Sequence, residues 1–212
     1  MSGLVTPPRL VTLEGGEGAG KSTVLAALRM FLIDCGDDVV CTREPGGTAL
    51  AELIRDLLLS RDHEAPSAET ELLLMFAARA QHVREIIQPA IERGAWVISD
   101  RFTDASYAYQ GGGRGLDVGF ISALERHAVG IQPGLTLLLD VPVVVGRERA
   151  SGRGHVDRIE SEQDTFFQRV HDTYLARADA EPQRFRVIDA MQTPQAVAAD
   201  AVAHLRTWRD SL

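Results

Sequence analysis

Cysteine is scarce in this chain: 212 residues contain two, Cys35 and Cys41. Two thiols six positions apart cannot supply the disulfide framework of a small secreted fold, so they read as ordinary thiols of a reducing compartment. No stretch approaches the roughly 20 consecutive apolar residues of a membrane span, and Met1 to Val5 lacks a basic region leading into an apolar run. The expectation is a cytoplasmic protein that does not enter a membrane. Positive charge is not in excess either, since 22 basic residues face 30 acidic ones for a net charge of -8. That balance argues against broad binding of a nucleic-acid polymer, which calls for a basic face. Arginines that meet phosphate must therefore be placed locally. There is no N-K-x-D segment of the kind a guanine-nucleotide switch requires, no internal repeat and no low-complexity tract. The length suits one domain over residues 1–212, large enough for a single core.

What the chain does contain is Gly15, Gly16, Glu17, Gly18, Ala19, Gly20, Lys21, Ser22 and Thr23, which fits G-x-x-x-x-G-K-[ST]. Several backbone N–H groups must point at one polyphosphate there, and glycine removes the side chains that would block the approach. Lys21 brings an ammonium to the β- and γ-phosphates. Ser22 offers a hydroxyl to Mg²⁺, and the following helix offers its positive N-terminal end. Context agrees, because Leu10 to Leu13 is a short β-rich run and Lys21 to Cys35 places Val24, Leu25, Leu28 and Leu32 on one helical face.

Four more short apolar runs follow: Val39–Thr42, Trp96–Ser99, Leu135–Leu139 and Phe185–Ile188, each separated by helical stretches. Runs of this kind suit strands covered on both faces, so the fold class is α/β, a three-layer arrangement with a five-stranded parallel sheet and helices on both sides. Ligands in such folds sit at the carboxyl ends of the strands. Those ends carry Glu14, Glu44, Asp100, Asp140 and Asp189, the type of residue that serves a Mg²⁺-nucleotide site.

Arg55 lies off the apolar stripe (Leu50, Leu53, Ile54, Leu57, Leu58) of a helix spanning residues 49–59, and alone it reads as solvated. In the helix from Glu69 to about Gln88, Arg79 shares an apolar face with Leu72, Met75, Phe76, Val83 and Ile86. It needs a partner: either a salt bridge from elsewhere in the fold or a ligand, with Phe76 as a stacking surface or as plain core. Asp100 and Arg101 end the third strand, where they could serve a metal-bound water and a phosphate, or pair with neighbours. Ser106, Tyr109 and Gln110 follow, then Gly111 to Gly113, which reads as a flexible turn. Arg147, Arg149, Arg153 and Arg158 flank a glycine-broken segment that reads either as a lid over about residues 147–160 or as a basic surface loop.

Together these segments resemble the thymidylate kinase family of P-loop kinases, from about Leu10 to Ala190. The resemblance rests on the P-loop, Thr42–Thr48 (TREPGGT), Leu74–Gln81 (LMFAARAQ), Asp100-Arg101, Tyr109–Gly115 (YQGGGRG) and Asp157–Glu160 (DRIE). It implies transfer of the γ-phosphate of ATP to dTMP, with Mg²⁺ held by Ser22 and Asp100. Glu17 would meet the acceptor's sugar, with Glu44 also on the acceptor side, and Arg55 and Arg101 would hold its phosphate. Phe76 would stack on thymine, and Arg79 would reach the base's carbonyl edge. Ser106 and Gln110 would line the base pocket, and Tyr109 would crowd the sugar. Arg153 would be the catalytic arginine of the lid, ahead of Arg149 and Arg158, while Arg149 would lie at the edge of the adenine site. A homodimer packed through helices is also implied. Phe102 and Thr103 depart from the residues relatives often carry.

Overall fold

The computed structural model describes residues 4–62, 64–151 and 157–212. Five strands form one parallel sheet: β1 (Leu10–Glu14), β2 (Val39–Arg43), β3 (Trp96–Asp100), β4 (Leu135–Asp140) and β5 (Phe185–Asp189), in the order β2-β3-β1-β4-β5. Every predicted strand is present. The central strand β1 pairs with β3 and β4, so that Leu13 lies opposite Asp100 on one side and Leu137 on the other. The loop after β1 therefore opens beside the ends of both neighbours.

Strand alternation sorts the side chains into two layers. Val11, Leu13, Ile98, Leu135 and Leu137 meet α1 (Lys21–Asp34) and α9 (Pro194–Asp210) through Val24, Leu28, Leu32, Ala201 and Leu205. On the opposite face Leu10 and Val97 pack against Leu72 and Phe76 of α3 (Ala68–His82), together with Phe102 and Ile121. A third cluster joins Leu138 and Phe185 to Tyr109 and to Phe166, Val170 and Tyr174 of α8 (Asp164–Ala180). Each fully buried Leu or Phe contributes about 1.5–3 kcal/mol relative to exposure, which is what holds the layers against chain entropy.

The remaining helices are α2 (Ala49–Leu59), α4 (Gln88–Glu92), α5 (Thr103–Ser106), α6 (Val118–Leu124) and α7 (Val143–Ser151). Three π-helical turns, Val83–Ile87, Tyr107–Gly113 and Glu125–Val129, extend α3, α5 and α6. The second turn revises the flexible-turn reading of the glycine triplet. A Cβ at Gly112 would come within 2.0 Å of Thr173 Oγ1, and one at Gly113 within 2.4 Å of the Phe166 ring. These glycines exist to let α8 approach closely.

The stripe on α2 also behaves differently from a core face. Leu58 is fully buried, but Leu50, Leu53 and Leu57 are half exposed or more, and Leu73 of α3, which packs beside α2, is exposed as well. No helix among the described residues is long and apolar enough to cross a membrane.

Candidate active site

The P-loop is shaped by glycine where no other residue would serve. Gly18 has φ +71, and a Cβ on it would strike the carbonyl oxygen of Gly146 at 2.0 Å; a Cβ on Gly146 would in turn meet the Glu17 carbonyl at 2.5 Å. The loop thus rests directly on the backbone of α7. Gly20, in the left-handed region, caps α1, and Lys21 is its first residue. The Lys21 ammonium donates to the carbonyls of Gly15 and Gly16 at 3.2 and 2.9 Å. Burial, and then the neighbouring Arg101 guanidinium, hold its pKa below the ordinary lysine value. A bound polyanion would oppose both effects by favouring the charged ammonium.

Arg101 stands at the end of β3 with φ 69, an uncommon backbone conformation for a non-glycine residue. Its amide donates to the carbonyl of Leu13 at 2.9 Å, and its own carbonyl accepts from Ser99 Oγ. The side chain turns back across the P-loop. It donates to the Gly15 carbonyl at 3.1 Å and to Tyr174 Oη at 3.2 Å, pairs with the Glu17 carboxylate, and covers the Tyr109 ring at 4.8 Å. The buried Tyr109 hydroxyl has no hydrogen-bond partner among the described residues.

Two cavities meet at this arginine. One, of about 540 Å³, is lined by Gly18, Gly20, Lys21, Ser22, Arg43 and Asp100 together with Glu17, Glu44, Arg55 and Arg101. The other, of about 590 Å³, has those same last four residues and adds Pro45, Leu59, Met75, Arg79, Ala105, Ser106, Tyr109, Gln110, Asp157, Ile159 and Glu160. A third, of about 570 Å³, runs along the far side of the P-loop past Ala19, Thr23, Arg149, Gln192 and Pro194. Arg55, off the apolar stripe as expected, donates to the Pro45 carbonyl at 2.9 Å and lies in the wall shared by the first two.

Most residues singled out from the sequence therefore converge. Arg79 has the salt bridge from elsewhere in the fold: it bonds Glu44 at 2.5 Å, Ser106 Oγ at 3.0 Å and the Phe102 carbonyl at 3.0 Å, and it also lines the larger cavity. Phe76 does not line it. Its ring is buried in the sheet-facing core beneath the Arg79 guanidinium, 4.7 Å from the ring centroid. Met75 takes that place, four residues before Arg79 and so on the same helical face. Arg158 donates to Glu71 at 2.6 Å and to the Leu58 carbonyl at 2.9 Å. Arg149 donates to the Ala190 carbonyl at 2.8 Å, at the edge of the third cavity. Arg153 lies outside the described residues. Of the five acids at strand ends, only Glu44 and Asp100 line these cavities; Asp140 instead meets His171 at 2.6 Å. Among the described residues no three His, Cys, Asp or Glu side chains form a metal cage. Ser22 and Asp100 share one cavity, the sparse oxygen set that suits a cation ligated mainly by phosphates and water.

The family model described as thymidylate kinase matches residues 13–201. A thymidylate kinase of Pseudomonas putida is 54% identical over 206 residues, covering 97% of this chain and 96% of its own. One from Chromohalobacter salexigens is 56% identical over 204 residues, covering 95% of this chain and 96% of its own. The crystal structure of thymidylate kinase from Ehrlichia chaffeensis superposes with a TM-score of 0.77 at 30% identity, over 97% of this chain and 100% of that one. The chain belongs to the thymidylate kinase family.

Within this thymidylate kinase family member, the least visible part of the site in the sequence was its support. Glu14 is fully buried, accepts from the Phe102 amide and from Tyr174 Oη at 2.7 Å each, and so stands one hydroxyl away from Arg101. Burial, and secondarily the charge of Asp104, push its pKa from 4.5 to about 8. Between those values the unfolded chain releases the Glu14 proton and the folded chain keeps it, so stability falls as pH rises through that window. Glu14→Gln removes this dependence. Melting temperatures taken at pH 5 and pH 8.5 should fall more for the natural chain than for the variant, and parallel curves would refute the assignment.

Proposed function

We infer that this chain transfers the γ-phosphoryl group of ATP to dTMP, giving ADP and dTDP. The single observation carrying this reading is the shared wall of Glu17, Glu44, Arg55 and Arg101 between the Lys21 cavity and the Arg79 cavity. An acceptor phosphate held by Arg55 and Arg101 in the second cavity faces donor phosphates held by the P-loop in the first. Phosphoryl transfer asks for this alignment and for neutralisation of charge, and for little else from the protein.

The donor's phosphates would be held by the backbone from Gly15 to Thr23 and by Lys21. Its adenine would lie in the cavity past Arg149 and Pro194. Ser22 and Asp100 would hold Mg²⁺, whose chemistry is to neutralise phosphate charge. In the acceptor cavity Arg79, Ser106 and Gln110 supply polar contacts for a base. Leu59, Met75, Ala105 and Ile159 supply its apolar cover. The unpaired Tyr109 hydroxyl and the Glu17 carboxylate lie where a sugar would pass. That apolar cover would take up a 5-methyl group, and one methyl is worth only about 1–3 kcal/mol.

We read the chain as one kinase unit with a lid over about residues 147–160, working in the cytoplasm. We also read it as a homodimer, because Leu50, Leu53 and Leu57 recur at one-turn spacing on α2 and stand exposed, as does Leu73 on the neighbouring α3. Leu53→Glu should convert a dimer into a monomer by analytical ultracentrifugation; a natural chain that sediments as a monomer would refute that assignment.

A coupled assay with ATP and a panel of nucleoside monophosphates tests the activity. dTMP should give the highest kcat/KM, with dUMP lower by roughly 10–200-fold. Equal values for the two would remove the base assignment, and no turnover with any would remove the reaction. Arg153→Ala should lower kcat by about 10³ or more with dTMP affinity nearly unchanged, whereas equal losses in both would assign Arg153 to binding.

A further inference from the structure

Behind the wall of the acceptor cavity lies a histidine that the reaction does not use. His82, the last residue of α3, is fully buried. Its Nδ1 is 2.9 Å from Glu44 Oε1 and its Nε2 is 2.6 Å from Thr42 Oγ1. The other oxygen of Glu44 accepts from Arg79 Nε at 2.5 Å. The ring edge packs on Gly47, where a Cβ would come within 2.5 Å of His82 Cδ2 and 2.7 Å of Nε2. One imidazole therefore touches the end of β2, the Glu44–Gly47 turn and α3.

Both ring nitrogens have partners, Nδ1 on the Glu44 carboxylate and Nε2 on the Thr42 hydroxyl, so the ring is held at two points. Glu44, held on both oxygens, cannot rotate about its terminal torsion. Arg79, fastened through Nε to Glu44 and through its two terminal nitrogens to Ser106 and Phe102, cannot swing in its cavity. The same turn also supplies the Pro45 carbonyl that receives Arg55. The spacing between Arg79 and Arg55 is therefore set through a turn that His82 braces from behind.

We propose that His82 is a positioning residue, which locks Glu44 and through it holds the base-reading Arg79 in register with the turn that holds the phosphate-binding Arg55. The proposal rests on the assignment of this cavity to dTMP. A nucleoside monophosphate presents its base and phosphate at a fixed separation, and a shift of either arginine loses acceptor binding without touching the donor site.

The test is a double-mutant cycle read by isothermal titration of dTMP and by steady-state kinetics. His82→Leu should raise the Kd and KM for dTMP about tenfold, the size of one lost charge-assisted hydrogen bond. The KM for ATP should not move, and kcat should stay within about threefold. His82→Asn, whose amide can still donate to Glu44, should recover part of the loss. In an Arg79→Ala background His82→Leu should cost clearly less than in the natural chain, because part of its effect passes through Arg79 and only the part carried by the turn remains. Thr42→Val, a change of nearly equal volume that deletes only the Nε2 bond, should show the same pattern at about threefold, so the proposal stays testable if His82→Leu does not fold. Additive losses in the cycle, parallel changes in the ATP and dTMP constants, or an unchanged dTMP constant would each overturn it. Failure of the unmutated enzyme to bind dTMP would instead overturn the cavity assignment.

Discussion

The half-buried guanidinium of Arg101 is the constraint on which the site is built. A cation taken out of water must be met on every side, or the fold loses more than the packing returns. Arg101 is met by a P-loop carbonyl, a P-loop carboxylate, and a tyrosine of α8 that is itself held by Glu14. Satisfying one side chain thus ties β1, the P-loop, β3 and α8 together at one point. The left-handed backbone at that residue is the local cost of aiming the side chain back over the loop.

The same device recurs throughout the chain and explains how an acidic protein presents a cationic pocket. Asp104, fully buried, is clamped by Arg177 and Arg184 at 2.6 and 2.7 Å, and Glu71 by Arg114 and Arg158. These arginines brace the helices around the acceptor cavity. Arg43, Arg55, Arg101 and Lys21 are left to line the phosphate side. Lys21 is the only lysine in the sequence. A compact ammonium stands in the P-loop, where phosphate oxygens would converge, and the planar fork of arginine appears where carboxylates and carbonyls must be held from several directions.

The sheet was legible in the sequence because strands covered on both faces must be short apolar runs. The P-loop was legible because its backbone requires glycine at fixed spacing. The direction of each helical face was less legible. Met75 and Phe76 differ by one position, about 100° around α3, and either could have faced the cavity; the better core former went inward. Arg79 plainly needed a partner, but Glu44 is 35 residues away and on another element, a distance no local pattern reports. The glycine triplet carried the right residue for the wrong reason, since only the approach of α8 shows why a side chain is excluded there. The α2 stripe had helical periodicity, and periodicity alone does not distinguish a face turned to the core from one turned outward.

The wall shared at Arg101 implies one continuous space between the Lys21 cavity and the Arg79 cavity. Isothermal titration with a bisubstrate ligand, adenosine and thymidine joined through an oligophosphate long enough to span both cavities, tests it most directly. One molecule should bind per chain, more tightly than either nucleotide alone, and both ATP and dTMP should displace it. Displacement by only one of the two, or affinity no greater than that of the better half, would mean that the cavities do not communicate.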